Sequence, residues 1–230
     1  MQAKKKTVSE SDAANSLKGV RRRRPGRPTL QQANDLRTAV LRAALRVFLN
    51  KGYEAASIES IAREAKVAKI TLYRQYENKH KLFLEVARFA QAEITRNLEA
   101  AVETDGTVES VLQQMILAMR RAYTRPDYLA VLRMVIAEAD RFPDIAYRML
   151  QDVDFVLEPM IRYLRQLKRE KRVTLENPRD AALQVSCLAM GGTRYLMVKP
   201  SNDPQAEAHW ADAVTALFIR AWQVKPSKGR

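Results

Sequence analysis

The sequence predicts an all-α protein of about nine helices. Apolar residues recur at spacings of three and four over most of the 230-residue chain, which is the spacing of one helix face. No stretch alternates with the period of two that a half-buried strand shows, and no Asn-Gly hairpin turn is present. The predicted helices are separated by breaks near residues 104–107, 124–127, 140–144, 172–178 and 197–204.

Four helices are predicted in the N-terminal part. The first begins near Asn34 and ends at Gly52, because glycine is a frequent C-terminal stop. Ser57 is a favourable N-cap for a short second helix, and a third helix covers about residues 69–76. Asn78 caps a longer fourth helix. The apolar residues of these four inward faces are Leu41, Ala44, Leu45, Phe48, Leu49, Ile58, Ile61, Ala62, Ala65, Leu72, Tyr76, Leu82, Phe83, Val86 and Phe89.

The rest of the chain is predicted to be helical as well. One long helix is expected from about residue 149 to 167, and Pro159 inside it should produce a kink. The last two predicted helices cover about residues 178–196 and 205–222.

The composition excludes several classes of protein. One cysteine and two histidines leave little material for a disulfide framework, a zinc site or a histidine-based catalytic centre. No apolar run reaches the roughly 18 residues of a membrane span, and the polar first 30 residues lack the apolar segment of a secretory signal. No nucleotide-binding glycine loop or nucleophile elbow is visible. We therefore expect a cytoplasmic protein that is not an enzyme, has no membrane partner and holds no metal or cofactor.

The net charge of +14 is concentrated near the N-terminus. Residues 1–34 carry nine Lys or Arg against two acidic residues, and residues 35–90 carry eleven against six. Residues 91–230 are almost balanced, with twenty against eighteen. This asymmetry predicts an N-terminal part that binds a polyanion, joined to a nearly neutral body.

Two short helices joined by a tight turn, directly after a supporting helix, are the plan of a helix-turn-helix. The major groove of DNA, about 12 Å wide, admits one helix, and the preceding helix braces it against the backbone. Ala62 and Ala65 are small where the two helices must cross closely, and Val67 can fill the space between them. Short helix pairs also occur in ordinary bundles, so this pattern alone is moderately specific.

The same stretch contains a set of residues whose spacing is typical of one family. They are Ala44-Leu45, Phe48, Gly52-Tyr53, Ser57, Ile61-Ala62, Ala65, Val67, Thr71-Leu72-Tyr73, Tyr76, Asn78-Lys79 and Leu82-Phe83. With these residues, the chain resembles the N-terminal domain of TetR-type (tetracycline-repressor-like) transcriptional regulators over about residues 35–85. The resemblance implies a three-helix DNA-binding domain, a larger helical ligand-binding domain and a homodimer. A weaker resemblance, to the C-terminal domain of one branch of that family, is carried by Leu132–Glu138 and Arg141–Asp144.

The sequence departs from the family pattern at three positions of the turn and the third helix. Lys66 stands where the family usually has glycine, so we expect a left-handed backbone at a cost of about 1 kcal/mol. Ala68 replaces a Ser or Thr N-cap, which removes about 1 kcal/mol of local stability. Ile70 often corresponds to glycine, and here its side chain could contact a thymine methyl.

The resemblance and the helix positions together suggest residues that contact double-stranded DNA. Lys69, Ile70, Thr71 and Arg74 are placed to read base edges. Family counterparts of Tyr73 and Tyr76 commonly contact phosphates. Lys79 and Ser57 begin helices, where free N–H groups attract a phosphate. Each of these charged residues could instead lie on a solvated face, and Tyr76 could belong partly to the core.

The domain organisation follows from these assignments. Residues 1–30 are expected to form a disordered basic arm, 31–91 the DNA-binding domain with its helix-turn-helix at about 57–76, 92–225 the ligand-binding and dimerisation domain, and 226–230 a tail. The arm resembles those that thread Gly-Arg-Pro into the minor groove, with Arg24 and Arg27 as the contacting residues. The alternative for the arm is a polybasic tail without sequence preference.

Two features of the C-terminal body suggest partners. The helices at about 178–196 and 205–222 resemble the pair that forms the family's four-helix dimer interface, although their apolar stripes could also be buried within one monomer. Methionine packs adaptably, so the body is predicted to hold a pocket for a small, uncharged or weakly charged organic effector. The alternative is that the same residues form the ordinary core of the body. The candidate pocket residues are Met115, Met119, Tyr123, Met149, Phe155, Met160 and Tyr163.

The sequence thus predicts a ligand-responsive dimeric transcriptional regulator, most simply a repressor that binds a palindromic operator and is released by an effector. The alternative is a constitutive or architectural DNA-binding protein whose C-terminal body only dimerises. A saturable effect of a small molecule on operator affinity would distinguish the two.

The role of the arm can be tested directly. Arginine prefers the negative potential of a narrow A/T-rich minor groove, so Arg27→Ala should weaken binding more on an operator with A/T flanks than on one with G/C flanks. Both affinities can be measured by fluorescence anisotropy at fixed salt. Equal losses on the two operators would leave only the polybasic tail.

Overall fold

A computed structural model describes residues 29–103, 106–200 and 203–225 and confirms the all-α fold class. Within these residues the chain forms eleven helices and no strand. The helices are α1 (Leu30–Ala55), α2 (Ile58–Ala65), α3 (Lys69–Tyr76), α4 (Lys79–Val102), α5 (Val108–Tyr123), α6 (Pro126–Glu138), α7 (Pro143–Gln151), α8 (Val153–Arg169), α9 (Pro178–Met190), α10 (Arg194–Met197) and α11 (Pro204–Ala221).

Eleven helices appear where the sequence predicted about nine because two predicted helices are each divided. The segment expected as one long helix is interrupted at Asp152, whose carboxylate accepts hydrogen bonds from Arg88 of α4 at 2.6 and 3.1 Å. α8 then continues through Pro159 to Arg169. The helix expected over 178–196 stops at Gly191, which has φ 78° and ψ 23°, and the short α10 follows.

The first helix is bounded by a capping box and by a glycine. The hydroxyl of Thr29 accepts from the N–H of Gln32 at 3.2 Å, and the Gln32 side chain accepts from the N–H of Thr29 at 3.0 Å. The helix therefore begins four residues before the expected start. At its other end Gly52 has φ 74° and ψ 172°, which breaks the helical geometry inside α1 as the sequence predicted.

Helices α1 to α4 enclose an aromatic core. Phe48 and Tyr53 each lie with their ring centroid 5.0 Å from that of Phe83 on α4. Ile61 of α2 and Leu72 of α3 are fully buried against this cluster. The two short helices are therefore held by side chains from both longer helices, and their other faces are left exposed.

The C-terminal body is built around α4 and α5. α4 packs against α5, α6 and α8, and α11 packs along α5 beside α9. The centre of the body is formed by completely buried side chains, namely Leu112, Met115, Ile116, Met119, Leu129, Met160 and Leu164. In the part of the chain that the structure describes, no helix is both long and apolar enough to cross a membrane.

Gly52 provides a test of the end of α1. A Cβ added there would meet nothing within 4 Å, so Gly52→Ala introduces backbone strain without a clash. Because this region of φ and ψ is essentially restricted to glycine, we expect a loss of about 1–3 kcal/mol in the free energy of unfolding. Urea denaturation followed by circular dichroism gives this value. The neighbouring exposed variant Lys51→Ala is the control and should lie within about 0.5 kcal/mol of wild type; a loss at Gly52 no larger than this would contradict the strain.

Candidate nucleic-acid interface

The turn between α2 and α3 has the conformation that the sequence predicted. Lys66 adopts φ 55° and ψ 38°, a left-handed backbone that glycine usually occupies. The N–H of Lys66 donates to Arg63 at 3.2 Å and the N–H of Val67 donates to Ala62 at 3.0 Å, which closes the end of α2. Val67 is partly buried against the core. The turn is therefore a fixed connection and sets the direction of α3.

The start of α3 lacks a side-chain cap, also as predicted. Ala68 has extended backbone angles and makes no capping hydrogen bond, while its carbonyl accepts from the N–H of Thr71 at 2.9 Å. The backbone N–H groups of the first turn are thus not engaged by a local side chain. They remain available to an external acceptor such as a phosphate oxygen.

The outward face of α3 contains four of the predicted contact residues. Ile70 is 74% exposed. Tyr73 and Arg74 are exposed, and Arg74 forms no ion pair within the described residues. Thr71 is half-buried beside them. The face combines an apolar group, a hydroxyl, an aromatic ring and a free guanidinium, which are the groups that read base edges and phosphates.

Lys69 lies on the same face but is paired. Its ammonium forms an ion pair with Glu59 of α2 and lies 5.4 Å from the ring centroid of Tyr73. The hydrogen bond between them raises the pKa of Lys69 and lowers the pKa of Glu59. Because both side chains are about half exposed, the pair contributes little stability and can exchange for a DNA phosphate or base.

Tyr76 and Lys79 are not placed as predicted. Tyr76 is only 5% exposed, and its hydroxyl is buried without a hydrogen-bond partner. Burial raises the pKa of Tyr76. Lys79 turns back into the protein: its ammonium donates to the carbonyls of Tyr53 and Glu54 at 2.9 and 3.1 Å. The interpretation of these two side chains as phosphate contacts is therefore not supported by their positions.

The position of Lys79 follows from the end of α1. Gly52 breaks that helix, so the carbonyls that follow have no partner within it, and an ammonium can satisfy them. The same ammonium lies 4.4 Å from the ring centroid of Tyr53. Burial lowers the pKa of Lys79, and the charge of Glu138 opposes this. The carbonyls and the ring replace the water that the ammonium loses.

Ser57 and Asn78 act as helix caps. The hydroxyl of Ser57 accepts from the N–H of Ser60 at 3.1 Å, and the Ser60 hydroxyl accepts in return from the N–H of Ser57. The side chain of Asn78 accepts from the N–H of Lys81 at 2.9 Å at the start of α4. Ser57 is half-buried, so its first structural role is to begin α2. The predicted minor-groove residues Arg24 and Arg27 lie outside the described residues.

Sequence reasoning missed a contact between the helix-turn-helix and the junction of α6 and α7. Nε2 of His80 lies 2.9 Å from a carboxylate oxygen of Asp144, and the rings of His80 and Phe142 are 4.6 Å apart. Phe142 also packs against Tyr53 with ring centroids 5.7 Å apart, and Arg141 forms an ion pair with Glu54. The hydrogen bond from His80 lowers the pKa of Asp144. The only sequence signal was the Arg141–Asp144 stretch, whose role the helix pattern did not reveal.

The predicted pocket residues are divided between the interior and the surface. Met115, Met119 and Met160 are completely buried, Tyr123 and Met149 nearly so, and Tyr163 is half-buried. The hydroxyl of Tyr123 lies 2.6 Å from that of Ser186 on α9, and burial raises the pKa of Tyr123 to about 12. Phe155 differs from the rest: its side chain is 75% exposed, so within one protomer it does not line an interior pocket.

The two predicted dimer helices expose a face that only partly matches the predicted stripes. Ala181 and Val185 of α9, and Val214 of α11, are buried inside the protomer. Other members of the predicted stripes are exposed, and Leu183 and Cys187 are exposed on α9 in addition to them. The exposed stripe members are Leu188, Ala213, Leu217 and Ala221.

No group of three or more His, Cys, Asp or Glu side chains in residues 29–103, 106–200 and 203–225 comes together in a way that could hold a metal ion. The geometry of α1 to α4 defines a helix-turn-helix protein, in which the outward face of α3 is an exposed, cationic and partly apolar recognition face.

Comparison with known proteins identifies the family. Residues 40–86 match the family of bacterial regulatory proteins called the tetR family, and residues 110–224 match the C-terminal domain of AefR-like transcriptional repressors. The chain therefore belongs to the TetR family and is a ligand-responsive helix-turn-helix repressor. The resemblance found in the sequence is confirmed in both parts of the chain.

Individual relatives agree with this assignment. The chain is 29% identical over 161 residues to the HTH-type transcriptional regulator SrpR of Pseudomonas putida, which covers 70% of this chain and 72% of SrpR. It is 27% identical over 173 residues to the HTH-type transcriptional repressor BepR of Brucella suis, covering 72% and 82% of the two chains. A solved TetR-family regulator from Mesorhizobium loti superposes with a TM-score of 0.73 at 22% identity, over 83% of this chain and 98% of that one, which shows the shared fold.

The structural role of Lys79 predicts a loss of stability. Lys79→Met removes the ammonium that lies over the ring of Tyr53, and it leaves the partly buried carbonyl of Tyr53 and the exposed carbonyl of Glu54 without this donor. We expect the free energy of unfolding in urea to fall by about 1–3 kcal/mol. Lys51→Met, which changes an exposed lysine of α1, is the matched control and should have little effect. A Lys79→Met variant as stable as this control would show that the two hydrogen bonds contribute nothing.

Proposed function

We propose that the protein is a dimeric repressor in which the outward face of α3 reads each half of a palindromic DNA operator, and that a small organic effector in the helical body releases it. The observation that carries this proposal is the exposed face of α3, with Ile70 74% exposed, on a helix fixed by the turn at Lys66. The same short helix exposes Tyr73 and Arg74 beside Ile70, and together these side chains supply groups that contact thymine methyls, base edges and phosphates.

The contact residues divide into two groups. Lys69, Ile70, Thr71 and Arg74 face the base edges, with Ile70 against a thymine methyl and the cations against guanine acceptors. Tyr73 and the N-terminus of α3, which has no side-chain cap, receive phosphates, which set the position of α3 in the groove. Lys79 takes part indirectly, because it holds the end of α1 against which α3 and α4 are packed.

The basic arm extends this interface. Residues 1–34 carry a net charge of +7, so neutralisation of phosphates by the arm makes operator affinity strongly dependent on salt. Arg24 and Arg27 enter the minor groove next to the half-site that α3 reads. Because the relatives of this chain are bacterial regulators and bacterial DNA lies in the cytoplasm, the protein acts in the cytoplasm.

Dimerisation uses the exposed face of α9 and α11. Leu183, Leu188 and Leu217 are each more than a third exposed and lie on the two helices that resemble the family's dimer interface. Two such helices from each protomer form a four-helix contact. The resulting two-fold symmetry presents two α3 helices about one turn of DNA apart, which requires a palindromic operator.

The effector site is in the interior around Met115, Met119 and Met160. These adaptable side chains adjoin the hydrogen-bonded pair of Tyr123 and Ser186, which supplies one polar anchor in an apolar environment. An uncharged or weakly acidic organic molecule fits this chemistry.

A change in the body reaches the DNA-binding domain through the contacts of Phe142 and Asp144 with Tyr53 and His80. A constitutive DNA-binding protein would need no such connection between its two parts, and this favours the ligand-responsive reading over the alternative.

The recognition face can be tested by two substitutions on α3. Ile70→Ala and Thr71→Ala should each weaken binding to the preferred operator by about 1–3 kcal/mol, because each removes one base contact. They should leave affinity for unrelated DNA almost unchanged. Arg162→Ala, an exposed cation of α8 without an ion pair, is the control and should not change the ratio of the two affinities. The proposed docking is wrong if the two α3 variants keep the wild-type ratio in fluorescence anisotropy titrations.

A further inference from the structure

A polar cleft of about 290 Å³ lies where the end of α3 meets α1, α4 and α7. It is distinct from the buried, methionine-rich interior of the body. We propose that this cleft binds a small free anion, a carboxylate- or phosphate-bearing metabolite, as a second ligand of the repressor. The residues that line it are Arg37, Gln75, Tyr76, Glu77, Lys81, Leu84, Glu85, Arg88 and Arg148.

The hydroxyl of Tyr76 indicates that the cleft is built to receive a polar group. Tyr76 is 95% buried, and its hydroxyl proton has no acceptor within the described residues, because the guanidinium of Arg37 that acts on this hydroxyl can only donate. Buried hydroxyls in proteins are almost always hydrogen-bonded, because an unpaired one costs free energy. An acceptor bound in the cleft would satisfy this hydroxyl.

The charges around the cleft select an anion. Four basic and two acidic residues line it, a net charge of +2. Glu85 is already shared by Arg37 and Arg88, and Arg88 also pairs with Asp152. The unneutralised positive charge therefore comes from the other two basic residues of the lining.

These two residues, Lys81 and Arg148, form no ion pair in the part of the chain that the structure describes. Lys81 acts on Asp144 only at longer range. Glu77, the remaining carboxylate of the lining, is exposed and unpaired, so it can stay hydrated while an anion occupies the basic side. An anion held here would accept hydrogen bonds from the two cations, Lys81 and Arg148, and a third hydrogen bond from the neutral hydroxyl of Tyr76.

The volume restricts the ligand to a small one. Pockets for small molecules generally span about 300–1,000 Å³, and this cleft is at the lower limit. Its lining is mainly charged, in contrast to the apolar interior proposed for the organic effector. Because Tyr76 is the last residue of α3 and Arg148 lies on α7, an occupant would join the recognition helix to the body.

Isothermal titration of the full-length protein without DNA tests this inference. The two probes are inorganic phosphate and citrate, each compared with sodium chloride at equal ionic strength. We expect saturable binding of at least one probe. Binding of phosphate alone would assign a phosphate-bearing metabolite, and binding of citrate alone a carboxylate. No saturable binding of either probe above the chloride control would overturn the inference.

Variants locate the bound anion. Arg148→Gln should weaken the binding of the probe by about tenfold, because it removes a cation. Tyr76→Phe should weaken it several-fold, because it removes the hydroxyl and keeps the aromatic ring in the core. Arg162→Gln, another exposed and unpaired arginine, should bind the probe as wild type does. Equal affinities of the Arg148 and Arg162 variants would place the anion elsewhere and contradict the proposal. Because no DNA is present, this failure would not affect the proposed operator recognition.

Discussion

The arrangement of the DNA-binding part depends on how the end of α1 is held. Gly52 breaks that helix, and the carbonyls that follow accept the ammonium of Lys79 at the start of α4. These two hydrogen bonds join Lys79 to Tyr53 and Glu54, which lie 26 and 25 positions earlier in the chain. The segment between the joined residues contains α2 and α3. The aromatic cluster of Phe48, Tyr53 and Phe83 fills the space beneath it. The turn at Lys66 sets the direction of α3, and the closure by Lys79 joins the two longer helices α1 and α4.

The same corner is the place where the body contacts the helix-turn-helix. Tyr53 packs against Phe83 on one side and against Phe142 on the other, and His80 one residue after Lys79 bonds Asp144. A shift of the junction between α6 and α7 therefore acts on the residues that orient α3. Such a connection is what a repressor needs if a ligand in the body is to change the affinity for DNA, because a ligand can act only through contacts that differ between two states.

Much of the fold was predictable because it follows local rules. Gly52 breaks its helix through a positive φ, and Ser57, Lys66 and Asn78 begin or end helices through hydrogen bonds to residues within five positions; all four positions were predicted. The exposed face of α3 followed from the helix period and from the family resemblance. The division between α7 and α8 was not predicted, because Asp152 and its two neighbours include no glycine or proline that would mark a break.

The errors at the site have the same physical origin. Lys79 and Tyr76 lie on helix positions that could have faced DNA, but tertiary contacts draw the first to two carbonyls and bury the second. Phe155 fits the apolar pattern of α8, and yet its side chain is exposed to solvent. An apolar pattern shows which residues share a helix face, but it does not show whether another segment packs against that face. Side-chain direction toward a distant segment is set by packing, and no single-sequence pattern contains it.

Two identically held α3 helices should read two half-sites of one DNA duplex. Selection of duplexes from a random pool with the purified protein, followed by sequencing of those that remain bound, measures this directly. We expect one enriched palindrome whose half-site centres lie about one helical turn, ~10 base pairs, apart. Recovery of duplexes without a common motif, or of a single unrepeated half-site, would contradict it.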